Sequence, residues 1–262
     1  MNDTLEDLKN IIKHLRSENG CPWDKVQTHE TLKEAMLEEA YEVVEAINKN
    51  DIENLKEELG DVLLQVVFHS QIEQEKGNFE LSDVINGISQ KMIDRHPHIF
   101  GEQKADTADN VLQNWEQLKK KEKNYRTQTE VMKNIPDALP ALTKAKKVQK
   151  KAKDVGFDFT DVKQALQKVH EELHELEETL QQSQQKQEEE LGDLLFAVVN
   201  VSRFLQLNPE FALTKAIKKF INRFECVEQI ALMDKKSLSD MTLEELELFW
   251  VQAKHSESPT EE

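Results

Sequence analysis

The sequence predicts an all-α protein built as a tandem duplication of one unit of four to five helices. Three observations carry that prediction. Glycine and proline are scarce, seven and six in 262 residues, whereas β-rich folds spend both on their many turns. Apolar residues recur at helical spacing through most of the chain. The third observation is an internal repeat. Leu37-Glu38-Glu39-Ala40-Tyr41-Glu42 returns as His170-Glu171-Glu172-Leu173-His174-Glu175, and Glu57-Glu58-Leu59-Gly60-Asp61 returns as Glu189-Glu190-Leu191-Gly192-Asp193, at offsets of 133 and 132. Lys91 and Arg95 have counterparts in Lys219 and Arg223, and Trp115 and Lys119 in Trp250 and Lys254, in the same order. A drift of a few residues is what loop insertions produce.

The elements follow in order. Leu5, Leu8, Ile11, Ile12 and Leu15 mark a first amphipathic helix that stops at Gly20-Cys21-Pro22. Helical patterns then run at about 28–48, 52–76, 82–95 and 107–123, with Asn50-Asp51 as turn and cap and Ser82-Asp83 as an N-cap. Residues 124–139 lose the periodicity ahead of Pro140 and read as a linker between an N-terminal unit, 1–123, and a C-terminal unit, 140–262. Patterns resume at about 140–154, 161–182, 186–207, 209–232 and 242–254. Six lysines between Lys144 and Lys153 read as a solvated helix face.

Charge narrows the function. Lys and Arg number 34 against 51 Asp and Glu, a net −17, which argues against a duplex nucleic-acid binder. An anionic ligand would need a metal ion or a local cationic pocket here. Two cysteines, Cys21 and Cys226, make no disulfide framework and fit a reducing cytoplasm. The N-terminus lacks an apolar signal core and no 18-residue apolar run occurs, so a soluble, cytoplasmic protein without membrane contact is expected. A mean hydropathy of −0.68 still leaves 38% hydrophobic residues for a core.

Residues three and four apart share a helix face, so Glu172 and Glu175 present paired carboxylates, as do Glu190 and Asp193 on the next helix. The first copy offers Glu39, Glu42, Glu58 and Asp61 in the same pattern. If the helices pack antiparallel, four carboxylates meet and lift one another's pKa. A hard divalent cation relieves this, and all-oxygen ligation suits Mg²⁺ or Mn²⁺. One such motif would be a solvated acidic face, but two in order in both copies are not. A di-iron bundle is the weaker metal reading: Glu171 and His174 have the Glu-x-x-His spacing, but Tyr41 stands at the matching place in the first copy. Lys219 with Arg223, and Trp250 with Lys254, add cations and an indole suited to phosphates and a base. No glycine-rich phosphate loop is present. A non-catalytic helical protein whose acidic patches bind a partner is the rival from another class.

The stretches GCPWDKVQTHETL (20–32), LEEAYEVVEAI (37–47), EELGDVLLQVVF (57–68), RHPHIFG (95–101), VGFDFT (155–160), HEELHELEE (170–178) and EEELGDLLFAVVN (188–200) resemble the MazG family. That resemblance implies an all-α nucleoside triphosphate pyrophosphohydrolase of MazG-like bundle units, dependent on Mg²⁺ and typically dimeric. It acts on ribo- or deoxyribonucleoside triphosphates to give monophosphate and pyrophosphate. It implies Glu172, Glu175, Glu190 and Asp193 as metal ligands. Lys168, Glu171, Lys186, Glu189, Lys219, Arg223, Trp250 and Lys254 would line the nucleotide site. Glu171, or Glu38 in the first copy, would orient or deprotonate the attacking water. Lys168 and Lys186 fall at Ala35 and Asn54 in the first copy. The second unit, richer in positive charge, is therefore expected to be the main working site.

Overall fold

The structure is a computed structural model and describes residues 3–101, Thr107, Val111 and 125–256. Among these residues every regular element is helical, and the chain divides into two compact units, Met1–Lys119 and Lys120–Glu262. The segment expected as a helix over 107–123, with Trp115 and Lys119, lies outside the described residues apart from Thr107 and Val111.

In the first unit, α1 (Leu5–Arg16) opens on a capping box in which Thr4 accepts the Asp7 N–H and Asp7 accepts the Thr4 N–H. The chain then turns at Gly20, where a Cβ would lie 2.2 Å from the Leu15 carbonyl oxygen, so no other residue fits. After the short α2 (Pro22–Val26) comes α3 (Lys33–Lys49). It begins later than the periodicity suggests, because Thr28 and Thr31 exchange backbone and hydroxyl hydrogen bonds and hold 28–31 in a turn. The Asn50-Asp51 turn forms as expected. Asn50 takes the left-handed conformation (φ 53°), and Asp51 accepts the Asn54 N–H to open α4 (Ile52–Glu75). The cap of α5 (Leu81–Arg95) is Glu80 rather than Ser82; Asp83 serves it by accepting the Glu80 N–H at 2.9 Å. A single turn, α6 (Pro97–Phe100), follows.

Ile12, Leu32, Val67, Phe68, Ile72 and Leu81 form the core of this unit, which seats α1 on α4. Arg16 locks the arrangement. Its guanidinium donates to both Glu75 carboxylate oxygens at 2.9 and 2.8 Å and to the carbonyls of Asp24 and Gln27, and it lies over the Phe68 ring at 5.2 Å. A second tie joins the turn before α3 to α4: the His29 and His69 Nδ1 atoms are 2.7 Å apart, and His29 Nε2 reaches Glu73 at 2.5 Å. Hydrogen bonds from Lys76, Asn78 and His29 hold the Glu73 carboxyl down at about 2.

The second unit begins where a linker was expected. Within 124–139 Thr127 caps a short helix, α7 (Gln128–Lys133), which packs on α8 (Ala141–Lys153), and the Gln128 amide donates to the Lys151 carbonyl. Periodicity cannot register a helix of six residues, whereas its Thr127–Glu130 capping box can. Of the α8 lysines, Lys146 donates to the Leu207 carbonyl and Lys151 pairs with Asp154, while Lys147, Lys150 and Lys153 are exposed. Next come α9 (Val162–Glu178), α10 (Gln184–Phe204), α11 (Pro209–Met233) and α12 (Leu243–Ser256). Asp161, Ser183 and Asn208 cap α9, α10 and α11. α9 and α10 form a tight hairpin, as α3 and α4 do, and α10 lies on α8. Val227, Ala231, Phe249 and Ala253 seat α11 on α12. Arg203 is the counterpart of the Arg16 lock: it pairs with Asp158 from the loop before α9, binds Asn200 and covers the Phe204 ring.

Replacing Arg16 with Ala removes a charge-assisted pair and two carbonyl contacts from a side chain only 6% exposed. The expected loss is about 2–3 kcal/mol in the first unit, read by chemical denaturation. Retention of wild-type stability would show that Arg16 does not lock α1 to α4.

Candidate active site

Each helical hairpin brings its acids face to face across the crossing. In the first, carboxylate oxygens of Glu39, Glu58 and Asp61 lie within 4.8 Å of one another, and Glu42 is within hydrogen-bonding reach of Glu39 and Glu58. In the second, Glu172, Glu175 and Glu190 meet the same criterion. Glu58 and Glu172 are the buried members of the two clusters, and Glu38 and Glu171 are exposed, one residue before Glu39 and Glu172. Asp193 does not follow Asp61 inward. It is exposed and outside the close cluster, whereas Asp61 is half-buried and inside its own.

Electrostatics mark the clusters as cation-seeking. Burial, then the charges of Asp61, Glu42 and Glu38, push the Glu39 carboxyl above its ordinary value. Burial and Glu42 do the same to Glu58. Burial and Glu172 raise Glu175. Glu172 is 5% exposed, and its Oε2 has no hydrogen-bond partner. A buried carboxylate oxygen left unpaired is costly. Oxygen-only donors, raised carboxyls and an orphaned buried oxygen fit a hard divalent cation, with Glu172, Glu175 and Glu190 as the residues to hold it, and Glu39, Glu58 and Asp61 in the first unit.

Cations distinguish the copies. Lys168 Nζ lies 2.7 Å from Glu171 and 2.5 Å from Glu172; Lys186 Nζ lies 2.9 Å from Glu189 and 3.2 Å from Glu190. Hydrogen bonds to Glu171 and Glu172 raise the Lys168 pKa well above the usual lysine range.

The remaining expected residues lie on other helices. Lys219 and Arg223 belong to α11, Trp250 and Lys254 to α12, and α11 packs chiefly on α12 and α8 rather than on the acidic hairpin. The Trp250 ring lies against Phe220, centroids 5.0 Å apart, on the α11–α12 core. Phe220 itself escaped the sequence reading, although the Phe220–Phe224 spacing signals an aromatic face. The His29–His69 contact has no such signal, since 40 residues separate the partners. Lys91 and Arg95 lie on α5.

Residues 27–100 and 160–229 each match the MazG nucleotide pyrophosphohydrolase domain, and these two stretches contain both carboxylate hairpins. The chain belongs to the MazG family. A Thermotoga maritima protein named nucleoside triphosphate pyrophosphohydrolase/pyrophosphatase MazG is 44% identical over 250 residues, 95% of each chain. The Escherichia coli nucleoside triphosphate pyrophosphohydrolase is 44% identical over 257 residues, 97% of this chain and 98% of that one. A Bacillus subtilis protein, YabN, is 47% identical over 95% of this chain and 51% of its own. Both MazG domains carry their acids on a helical hairpin, and in the second Lys168 and Lys186 pair with those acids.

The raised carboxyls set a pH dependence. A carboxyl raised in the folded state gives stability that is present below its unfolded value and lost as pH rises through the folded one. Metal-free protein should lose this contribution as pH climbs above the ordinary 4.5 of glutamate, and Mg²⁺ should restore it. Thermal melts across pH in EDTA and in Mg²⁺ should diverge, and Glu39→Gln with Glu58→Gln should reduce the divergence. Parallel curves would refute cation-seeking clusters.

Proposed function

We infer that the chain is a nucleoside triphosphate pyrophosphohydrolase, cleaving ribo- and deoxyribonucleoside triphosphates between the α and β phosphates with Mg²⁺, or Mn²⁺ in its place. The carrying observation is the buried carboxylate cluster on the helical hairpin of each MazG domain. Water supplies the oxygen of the monophosphate, and pyrophosphate leaves.

Glu172, Glu175 and Glu190, joined by Asp193 from the next turn of α10, would hold the metal, and Glu39, Glu42, Glu58 and Asp61 would do so in the first unit. Bound there, the cation neutralises charge on the triphosphate and on the departing pyrophosphate. Glu171, exposed beside the cluster, orients or deprotonates the attacking water, with Glu38 its counterpart. Lys168, Lys186, Lys219, Arg223 and Lys254 offset phosphate charge, Glu189 sets Lys186 in place, and Trp250 provides a face for the base. This assignment makes the second unit the main working site.

The working form is a homodimer. Leu191, Leu195 and Phe196 on α10 and Phe220, Ile221 and Phe224 on α11 are all exposed, an extent of apolar surface that a second copy would cover. Reduced Cys21 and Cys226, and the absence among the described residues of any helix able to cross a membrane, suit a cytoplasmic setting.

Incubation with mixed nucleoside triphosphates and Mg²⁺ should yield monophosphate and pyrophosphate, and EDTA should abolish the reaction. Orthophosphate alone, or activity surviving chelation, would sink the reading. Glu172→Gln with Glu175→Gln should remove most turnover, and Glu39→Gln with Glu42→Gln should leave much of it; the reverse order would move the working site to the first unit. Light scattering should exceed the 30.4 kDa monomer mass, and a monomer at micromolar concentration would contradict the dimer.

A further inference from the structure

The two acidic hairpins answer the same repulsion by different means. In the first unit carboxylate oxygens of Glu39, Glu58 and Asp61 gather within 4.8 Å of one another. In the second, two ammonium groups already sit on the cluster. Lys168 bridges Glu171 and the buried Glu172, and Lys186 bridges Glu189 and Glu190, whose side chain is 13% exposed. Each lysine stands four residues before its cluster glutamate, where helix geometry stacks the two side chains. Ala35 and Asn54 occupy the equivalent places in the first unit and bring no charge.

We propose that Lys168 and Lys186 are tethered counter-cations that compete with the divalent metal, so that metal alone loads the first unit, and the second takes its metal only when an anion draws the lysines away. This deepens the function proposed above and rests on it for the identity of the anion, a triphosphate. The physical step is an exchange. A cation reaching Glu172 Oε1 meets the Lys168 ammonium 2.5 Å away, and like charges cannot share that oxygen without loss. The lysine must swing off on its flexible four-carbon stem, giving up two carboxylate contacts. In water alone that is a net cost. Beside bound phosphate oxygens the same ammonium regains its partners, and the exchange becomes favourable. The lysines thereby add to the second unit a coupling of metal to substrate binding that the first unit lacks.

The test is Mn²⁺ calorimetry on the full chain without nucleotide. Wild-type protein should show one tight class of site per chain, lost in Glu39→Gln with Glu58→Gln and kept in Glu172→Gln with Glu175→Gln. Lys168→Met with Lys186→Met should reveal a second class, its affinity raised about tenfold or more over the wild-type second unit. Adding Glu172→Gln to that variant should remove it. Lys168→Arg with Lys186→Arg, which keeps both charges, should behave as wild type and shows that any gain is not general loosening. Two equal classes in the wild type, or an unchanged second unit in the methionine variant, would overturn the proposal. Pyrophosphate release is measured separately: its absence would refute the enzymatic reading while leaving the calorimetric result to stand or fall alone.

Discussion

Like charge held close across a helical hairpin is the constraint on which the rest of this structure turns. Three carboxylates with oxygens within 4.8 Å repel in any medium, and more so where burial has stripped their water. Burying them is affordable only if something positive returns. Protons are one answer, visible in the upward displacement of Glu39, Glu58 and Glu175. Lysine is another, visible at Glu172 and Glu190. A divalent cation is the third and supplies the most charge in the least space.

A hairpin under internal repulsion must be braced from behind, and both units do this with arginine. Arg16 ties α1, the following turn and α4 into one body through Glu75. Arg203 ties α10 to the loop before α9 through Asp158. Arg16 ends α1 and Arg203 lies one residue before the end of α10, and their carboxylate partners, Glu75 and Asp158, are not cluster members. The braces use a planar fork with several donors, which a lysine could not reproduce.

Much of this was legible in the sequence, because the repeat multiplied weak signals. A single Glu-Glu-x-x-Glu decides nothing in a chain with 51 acids, but the two acid motifs recurring in order select the paired hairpins that the structure contains. The Asn50-Asp51 turn was legible from the chemistry of its two residues. Other features were hidden for physical reasons. Helix starts at Lys33 and Leu81 depend on side-chain hydrogen bonds of Thr28, Thr31 and Asp83 that periodicity ignores. The α7 helix is too short to show a period. The outward position of Asp193 is not written in its spacing, which equals that of Asp61, and the Lys168 and Lys186 pairs depend on rotamers that spacing permits without requiring. Pairings such as His29–His69 and Arg16–Glu75 join residues 40 and 59 apart, and no local pattern announces them.

The separation of charge types within the second unit carries a final consequence. Its acids occupy α9 and α10, while Lys219, Arg223, Trp250 and Lys254 occupy α11 and α12, a pair that α8 rather than the acidic hairpin supports. A triphosphate is too highly charged for the acidic hairpin alone, and Lys219, Arg223 and Lys254 alone hold no metal. On the proposed function the two must act on one substrate, so something must bring them together. The apolar residues left exposed on α10 and α11, Leu195, Phe196, Phe220 and Phe224 among them, lie on the same helices as those two sets of charges. A second copy covering these apolar faces would bury surface on the same helices that carry both sets of residues, tying completion of the fold to the site. Apolar exposure and divided chemistry would then be one fact seen twice.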